Sequence, residues 1–458
     1  MTDPPRRSWG LYGLLLLVLS VEFGCAAAYT RLISSTLRRL EYRDYEGALA
    51  KLEKKSEETD RLLYRLEKGL ILHYAGGWSA SNGQFERAER LIDKRYTRSA
   101  SREIAALLTN DAIRPYRGEE FERTLIHYYR AMNYYKLGLN TDALVECRKA
   151  NLRLADFAAK AEYELSYNND AFLQYLTGAF YEAEGEWNDA YISYRDAIKG
   201  FAAYRISLGM EFPEAAAADL QRSAVRLGFD EEWDQLADRF DLPSANPPAE
   251  RASVIVIAES GFIGRKVKRE ISVPILEDDD IRHVWMVSDR LVHRYHYGYH
   301  SGEVDYWLRI ALPEYRPRPR RVHGVQLRAR GRKSRGWMVE DLDAIAQRSF
   351  AEKENAVLTR TAVRALAKYV ATELAEEKSD ILGFLVNLFG AGTEAADTRS
   401  WQSLPATIWM ARMQIPPGTT DVVLEFLDAG GFVVAEHLFP AVEVSATRPL
   451  FLSHRSFR

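Results

Sequence analysis

The chain is poor in cysteine, and this scarcity limits the classes of protein to which it can belong. Only Cys25 and Cys147 occur among its 458 residues, which excludes a disulfide-rich scaffold and the paired cysteines of a structural zinc site. A large excess of one charge is also missing, since 62 Lys and Arg face 65 Asp and Glu. The net charge of −3 argues against a dedicated nucleic-acid binder. We therefore expect no nucleic-acid partner.

Recognisable catalytic motifs are missing as well. The sequence has no P-loop, no nucleophile elbow and no Ser, His and Asp set at the spacing of a triad. Gly261-Phe262-Ile263-Gly264 lacks the first glycine of a dinucleotide-binding fingerprint. His293, His296 and His300 form a histidine-rich patch, but on a strand only two of the three share a face. The sequence therefore predicts a protein that is not an enzyme, with no catalytic residue, metal, cofactor or small-molecule substrate.

An export signal is predicted at the N-terminus. Arg6 and Arg7 precede Leu11–Val21, an apolar run without charge. The run is shorter than the roughly 20 residues that span a bilayer, and a positive start before such a run is typical of an export signal. We interpret residues 1–28 as this segment.

The residues after the apolar run predict a lipid anchor. Glu22-Phe23-Gly24-Cys25 resembles a bacterial lipoprotein processing site, in which Cys25 receives lipid and becomes the mature N-terminus. Cleavage after Ala28 by ordinary signal peptidase is the alternative, because Ala26-x-Ala28 also fits. Each buried CH₂ of an acyl chain adds about 0.8 kcal/mol, so a multiply acylated Cys25 would hold the protein on a membrane. Cys147 would then be a small buried apolar residue.

Two stretches, Thr124–Leu152 and Ala171–Ile198, repeat one pattern of small and aromatic residues. The matched positions lie at offsets 0, +3, +7, +12, +16 and +19, which describe a helix, a glycine turn and a second helix, as in a tetratricopeptide (TPR) unit. Small residues let the helices approach closely, and glycine ends the first helix. The positions are Ala131, Tyr134, Gly138, Ala143, Cys147 and Ala150 in the first copy, and Gly178, Tyr181, Gly185, Ala190, Tyr194 and Ala197 in the second.

Such hairpins stack and leave a concave surface that binds another molecule. We therefore expect a groove along the helices that takes a protein or peptide partner.

The composition divides the mature chain into two folded parts. Helical periodicity runs from residue 29 to 240, and the prolines of residues 241–251 mark a linker. From 252 to 458, short strand patterns flank one long helical pattern. The predicted helix is Val339–Glu377, and the predicted strands are Val254–Ala258, Lys266–Val273, His283–Val287, Asp305–Leu312, Val322–Arg328, Ala406–Met413, Val422–Leu427, Phe432–Leu438 and Leu450–His454.

The predicted fold class is thus α+β multidomain. An all-α stack of TPR-like helical hairpins is followed by a C-terminal α+β domain with antiparallel β-strands and one long helix.

Arg316–Arg335 is the most basic part of the C-terminal half, with eight Arg and one Lys. One interpretation is contact with an anionic partner, such as phospholipid headgroups or an acidic envelope polymer. The other, which we favour, is a solvated loop and strand edge whose charge discourages aggregation.

Several short motifs resemble a family of uncharacterised bacterial TPR-type lipoproteins. They are Leu108–Asp111, Pro115–Arg123, Leu358–Thr361, Asp397–Trp401, Leu404–Ala406, Ala411-Arg412 and Pro416–Gly418. The resemblance covers most of the mature chain. It implies a protein of the bacterial cell envelope, anchored in a membrane and facing the periplasm, with a link to envelope or peptidoglycan assembly. It implies no established activity or cofactor.

One of these motifs falls on a predicted turn before a helix. Asn110 and Asp111 fit a helix end or loop, and Tyr116, Arg117 and Glu119 fit a structured turn. Arg117 and the following glutamates would form an ion-pair network that locks the turn. Alternatively, the turn contacts a partner.

Together these features predict an exported, lipid-anchored adaptor or scaffold that binds a protein or peptide. Two alternatives remain open: a structural subunit of a large envelope machine, and a hydrolase that acts on an envelope polymer through the C-terminal domain.

Overall fold

A computed structural model describes residues 29, 32–54, 60–97, 115–160, 167, 169–243, 252–276, 304–353 and 396–457. The export segment 1–28, Asn110, Asp111 and the predicted strand His283–Val287 lie outside the described residues. So do the histidine patch, residues 244–251 of the linker, and the predicted long helix beyond residue 353.

The first described part is helical throughout. From α2 onward, each helix packs against the next one in the chain. The helices are α1 (32–41), α2 (Tyr45–Glu53), α3 (Arg61–Tyr74), α4 (Trp78–Thr97), α5 (Glu120–Lys136), α6 (Asn140–Lys160), α7 (Ala171–Glu184), α8 (Trp187–Ser207), α9 (Glu214–Leu227) and α10 (Asp230–Phe240).

Side-chain caps and glycines set the ends of these helices. The carboxylates of Asp60 and Asp170 each accept a backbone N–H of the following first turn, at 2.8 Å, which satisfies donors that a helix start leaves unpaired. Gly138 and Gly185 follow the last turns of α5 and α7 with φ of 75° and 81°. This left-handed conformation favours glycine and reverses the chain into the second helix of each hairpin.

The repeat positions lie where the paired helices meet. Ala131, Ala143, Cys147, Ala150, Ala190, Tyr194 and Ala197 are fully buried, whereas Tyr134 and Tyr181 are half-buried at the edge of the core. A Cβ added at Gly178 would lie 2.7 Å from the ring of Tyr194. The small residue at this position is therefore what lets α7 and α8 touch.

The second described part contains two four-stranded sheets and a hairpin. The central sheet has the order β10-β1-β7-β6, the outer sheet β5-β4-β8-β9, and β2 pairs with β3. The strands are β1 (Ser253–Ser260), β2 (Arg265–Leu276), β3 (Val304–Arg316), β4 (Gly324–Ala329), β5 (Arg332–Arg335), β6 (Trp337–Asp341), β7 (Thr407–Gln414), β8 (Gly418–Leu427), β9 (Val433–Val444) and β10 (Leu450–Ser456). A further helix, α11, begins at residue 342 and is described to residue 353.

Strand β1 lies in the middle of three layers. Ile255 and Ile257 point into the core shared with the helices, whereas Val254 and Val256 point into the core shared with the outer sheet. Because side chains alternate along a strand, a strand covered on both faces is apolar at every position. The layers are therefore helices, central sheet and outer sheet.

The structure confirms a helical N-terminal half and a C-terminal half rich in antiparallel sheet. Two details differ from the prediction. The pairing of β1 with β10 is parallel, in a sheet whose other pairings are antiparallel. The helix predicted from Val339 begins at residue 342, because residues 337–341 form β6 beside β7.

Strand β5 was not predicted, since it consists of charged residues and serine. A tight turn connects it to β4. Arg330 and Gly331 in this turn have φ of 48° and 74°, the pair of positive values that a two-residue hairpin loop favours.

We expect Gly178→Ala to lower the free energy of unfolding by roughly 1–3 kcal/mol, because the added methyl overpacks the buried Tyr194 ring. That ring is fixed, since its hydroxyl donates to Glu182 at 2.6 Å. Gly83→Ala in α4 is the matched control: its Cβ would meet no atom within 4 Å, and better helix propensity should add up to about 1 kcal/mol. Urea unfolding followed by circular dichroism measures both; equal stabilisation of the two variants would contradict the close approach.

Candidate functional site at the seam between helices and sheet

The first helices of the hairpins pack directly on the central sheet, and we call this interface the seam. Tyr135 of α5 lies edge-on to Phe451 of β10 at 5.1 Å between ring centroids. Tyr175 of α7 meets Trp337 of β6 at 5.9 Å in the same manner. Trp401, in the segment before β7, is fully buried beside aromatic rings of α4 and α5. One hydrophobic core therefore joins residues from both halves of the chain.

A carboxylate on the sheet anchors α3 and α5. Glu259 of β1 is buried and accepts hydrogen bonds from Tyr74 and, at 3.0 Å, from Tyr128. Arg455 of β10 donates to the Tyr74 hydroxyl at 2.8 Å and to the carbonyl oxygen of Gly261 at 2.7 Å. These hydrogen bonds pair buried polar groups across the seam. A buried polar or charged group is tolerated only when it is paired in this way.

A second polar cluster joins α7 and α9 to β7. Arg412 lies 3.0 Å from Glu182 and 3.2 Å from Asp219, and Arg222 contacts the same two carboxylates. Burial opposes the ionisation of Glu182, but Arg412 and Arg222 outweigh it and lower its pKa to about 2. Glu182 is therefore ionised at neutral pH and lies between two arginines.

The predicted structured turn lies at the seam and carries a third cluster. Glu119 pairs with Lys266 of β2 and, at 2.7 Å, with Lys353 of α11. Burial opposes its ionisation, but the two lysines hold its pKa below the usual range. Tyr116 donates to Glu122, whose other oxygen accepts the backbone N–H of Trp401 at 2.7 Å.

This geometry corresponds to an ion-pair network at the turn. Two partners of Glu119, Lys266 and Lys353, belong to the C-terminal half of the chain. The pairing of Arg117 with the glutamates of the turn stays a prediction. Arg117 itself is half-buried. The turn thus joins α5 to β2 and α11, a contact between residues more than a hundred positions apart.

The expected open groove is not present along α3, α5 and α7. The sheet covers the face that these helices were predicted to offer, through the aromatic and polar contacts just described. The physical reason is that stacked hairpins leave an apolar face which some other surface has to bury, and the chain supplies that surface itself. Among the described residues, this face of α3, α5 and α7 is therefore occupied by the chain's own sheet.

A cavity of about 610 Å³ opens where the α8–α9 connection meets β6 and β7, and we call it the seam cavity. Its lining mixes apolar and aromatic side chains with charged and polar ones. The apolar and aromatic members are Met210, Phe212, Val322, Trp337, Met338 and Trp409. Apolar walls with polar groups that orient a ligand are also found in binding pockets.

The two tryptophans of the seam cavity differ in their hydrogen bonds. The indole N–H of Trp409 donates to Thr407 at 2.9 Å. The indole N–H of Trp337 is buried and has no acceptor within the described structure. An unsatisfied buried donor is costly, and this N–H has no exposed surface through which a ligand in the cavity could reach it.

Charged residues of both signs line the seam cavity: Arg320 and Arg335 of the segment Arg316–Arg335, and the exposed Glu211 and Glu214 at the start of α9. Arg320 is held by Asp341, at 2.7 Å, and by Asp343, so it is neutralised. Arg332, Lys333 and Arg335 of β5 are exposed, and no ion pair joins them to the described part of the chain. The end strand of the outer sheet therefore carries positive charge beside the seam cavity.

The described residues contain no group of three or more His, Cys, Asp or Glu side chains placed to hold a metal ion. Within the same ranges, every helix is too short or too polar to cross a membrane. Burial raises the pKa of the Cys147 thiol to about 12, as expected of an unreactive core residue.

Sequence reasoning missed the residues of the seam cavity. Met210, Phe212, Trp337 and Trp409 are separated by up to about 200 positions, and no spacing rule connects them. The one available signal was the exceptional charge of Arg316–Arg335, which we had favoured as a solvated edge.

The seam also contains carboxyl groups that resist ionisation. Glu67 of α3 is fully buried and accepts from Tyr29 at 3.1 Å and from the backbone of Gln402 at 3.2 Å. Burial raises its pKa from 4.5 to about 7. Burial and the nearby Asp170 carboxyl likewise raise the pKa of Glu340 on β6, which accepts from Tyr204 at 3.1 Å.

Comparison with known proteins adds little. No family model matches the chain, and no curated protein matches it. One similar solved structure is that of the Rap conjugation gene regulator of the plasmid pLS20 in complex with the Phr* peptide, at 17% identity and a TM-score of 0.27. The match covers 53% of this chain and 59% of that one. A likeness this weak supports no conclusion about fold or function.

We expect Glu67→Gln to change how stability depends on pH. Below pH 4.5 the carboxyl is protonated whether the chain is folded or unfolded. Between pH 4.5 and about 7 the unfolded chain loses the proton first, so the wild type loses about 3 kcal/mol of unfolding free energy that the uncharged variant keeps.

The measurement is urea unfolding of both proteins at several pH values. The difference in free energy should grow in favour of the variant as the pH rises through this window. Glu86→Gln, which removes an exposed carboxylate on α4, is the control. A constant difference between wild type and Glu67→Gln would show that Glu67 ionises normally in the folded protein.

Proposed function

We propose that this protein is a TPR-type adaptor or scaffold, without enzymatic activity, that binds a protein partner through an acidic peptide segment at the seam cavity. The observation that carries the proposal is the aromatic cavity of about 610 Å³ beside an exposed basic strand. An apolar side chain of the partner would enter the cavity, and carboxylates next to it would face Arg335, which lines the cavity, and Lys333 on the same face of β5.

The size and lining of the cavity support a peptide anchor. Ligand pockets commonly have volumes of roughly 300–1,000 Å³ and combine apolar walls with a few polar groups. Trp337, Trp409 and Phe212 provide the rigid aromatic surface that dominates binding energy at interfaces.

The exposed cations of β5 favour an acidic segment beside that strand, whereas Glu211 and Glu214 line the cavity at the start of α9. Complementary charge steers association and suppresses wrong partners. Because β5 is the end strand of its sheet, its cations face solvent on the described surface and are accessible to a partner. Because the sheet covers α3, α5 and α7, binding beside β5 is favoured over binding along the helical face.

The test begins with a photo-crosslinking residue at His323, an exposed position that lines the seam cavity. The crosslinked partner's segment is then measured against the full chain by fluorescence anisotropy. We expect Arg335→Glu to weaken binding about tenfold or more, since it places like charge against the segment. Added salt should weaken binding to the wild type.

Arg87→Glu is the matched control, because Arg87 is also exposed but lies on α4, outside the lining of the cavity. The Arg87→Glu variant should bind the segment with the same affinity as the wild type. Equal affinity of Arg335→Glu and the wild type, or a crosslinked segment that is basic, would overturn the proposal.

We further propose that the adaptor acts in the bacterial cell envelope, anchored by lipid on Cys25 and facing the periplasm. The support is the sequence alone: Arg6, Arg7, the apolar run Leu11–Val21 and Gly24 before Cys25. A role in envelope or peptidoglycan assembly follows from the family resemblance.

Intact-mass spectrometry of the mature protein tests the anchor. We expect a chain that begins at Cys25 with added acyl mass, and Cys25→Ser should remain unacylated and uncleaved at this position. A mature wild-type chain that begins at Tyr29 without added mass would refute lipidation.

A further inference from the structure

A second cavity, of about 230 Å³, lies where α3, α5, β1 and β10 meet. None of its lining residues lines the seam cavity. The residues that matter for the argument are Arg43, His73, Lys136, Glu259, His454 and Arg455. Three cations and one carboxylate therefore face the same small space.

The carboxylate and one cation are already engaged. Glu259 accepts from Tyr74 and Tyr128, and Arg455 donates to Tyr74 and to two backbone carbonyl oxygens. These groups hold the seam together and form a fixed wall of the cavity.

Lys136 is not neutralised by an acid in the described part of the chain. It is the last residue of α5, where the helix dipole favours a positive charge. Its side chain is half-buried rather than extended into solvent, and burial lowers its pKa. A buried ammonium without a partner is unfavourable, so an anion at this point would relieve a cost that is present in the free protein.

Arg43 approaches the same cavity from the α1–α2 connection. Its guanidinium donates to Nε2 of His454 at 2.7 Å and lies 3.4 Å from the carbonyl oxygen of Arg455. Burial, with the charges of His437 and Arg43, lowers the pKa of His454 to about 3, so this histidine is a neutral acceptor. His454 thus adds no negative charge beside Arg43, and no ion pair joins Arg43 to another described residue.

His73 does not cancel this charge. One ring nitrogen lies 2.6 Å from the Asn133 side-chain oxygen, and burial lowers the pKa of the ring, so it is neutral at physiological pH. The ring of His73 therefore contributes polar surface to the cavity but no negative charge.

We propose that this cavity is a binding site for a small oxyanion, a phosphate or a carboxylate group, held between the ammonium of Lys136 and the guanidinium of Arg43. The oxygens of such a group accept charge-assisted hydrogen bonds from both. The volume suits a small anion or the anionic end of a larger ligand, since it is several times the roughly 30 Å³ that one water occupies in the liquid. The site is independent of the adaptor function proposed for the seam cavity.

Isothermal titration of the full chain in detergent tests this site, with inorganic phosphate and acetate as separate probes at constant ionic strength. We expect at least one of them to bind with one-to-one stoichiometry, and the better binder identifies the class of anion. Lys136→Met and Arg43→Gln should each weaken binding roughly tenfold or more, the effect of losing a hydrogen bond to a charged group.

Lys199→Met is the control, because Lys199 is an exposed lysine of α8 outside this cavity. It should bind as the wild type does. Arg43 is exposed, so its substitution is expected to leave the fold intact, and circular dichroism checks both cavity variants. Absence of binding to both anions, or equal binding by Arg43→Gln and the wild type, would overturn the assignment.

Discussion

Buried charge paired across the seam is the constraint on which the rest of the structure depends. Arg412 on β7 is enclosed by Glu182 and Asp219 on the helices, and Lys266 and Lys353 enclose Glu119. Removing one partner of such a pair leaves an uncompensated buried charge, at a cost of about 3–5 kcal/mol. The helices and the central sheet therefore cannot separate without exposing several charges at once, and the described halves of the chain form one structural unit.

This constraint also explains where binding sites can form. Between the clusters the two halves are held at fixed distances, and cavities remain where their surfaces diverge. The seam cavity lies beside β6, whose Glu340 receives a hydrogen bond from Tyr204 of α8. The smaller cavity lies beside Glu259, which fixes Tyr74 and Tyr128. In both, the walls are rigid because a polar cluster of the seam orders them, and such preorganisation lowers the cost of binding.

The sequence indicated local features well and distant ones poorly. Gly138 and Gly185 end helices because their conformation is a property of a few neighbouring residues, and the apolar run of β1 follows from burial on both faces. By contrast, Tyr29 donates to the carbonyl oxygen of Ser400 at 2.8 Å across 371 positions, a contact that no periodicity encodes. Residues 339–341 were predicted as helix, since Val339 fits a helical and a strand pattern equally well. They form a strand because β6 pairs with β7. The seam cavity combines such distant segments, so its residues could not be grouped from one sequence.

The covered helical face shows what distinguishes an occupied repeat surface from an open one. An apolar stripe with tyrosines is compatible with either, because both a partner protein and the chain's own sheet would bury it. Ionisable side chains on the same helices discriminate better. Glu67, Glu122 and Glu182 lie within helices yet are almost completely buried, and each accepts a hydrogen bond from a group of the C-terminal half. A partner that displaced the sheet would have to replace all of these bonds. A partner that binds beside β5 and β6 replaces none of these bonds. Binding there is therefore compatible with the folded protein, whereas binding along the helical face is not.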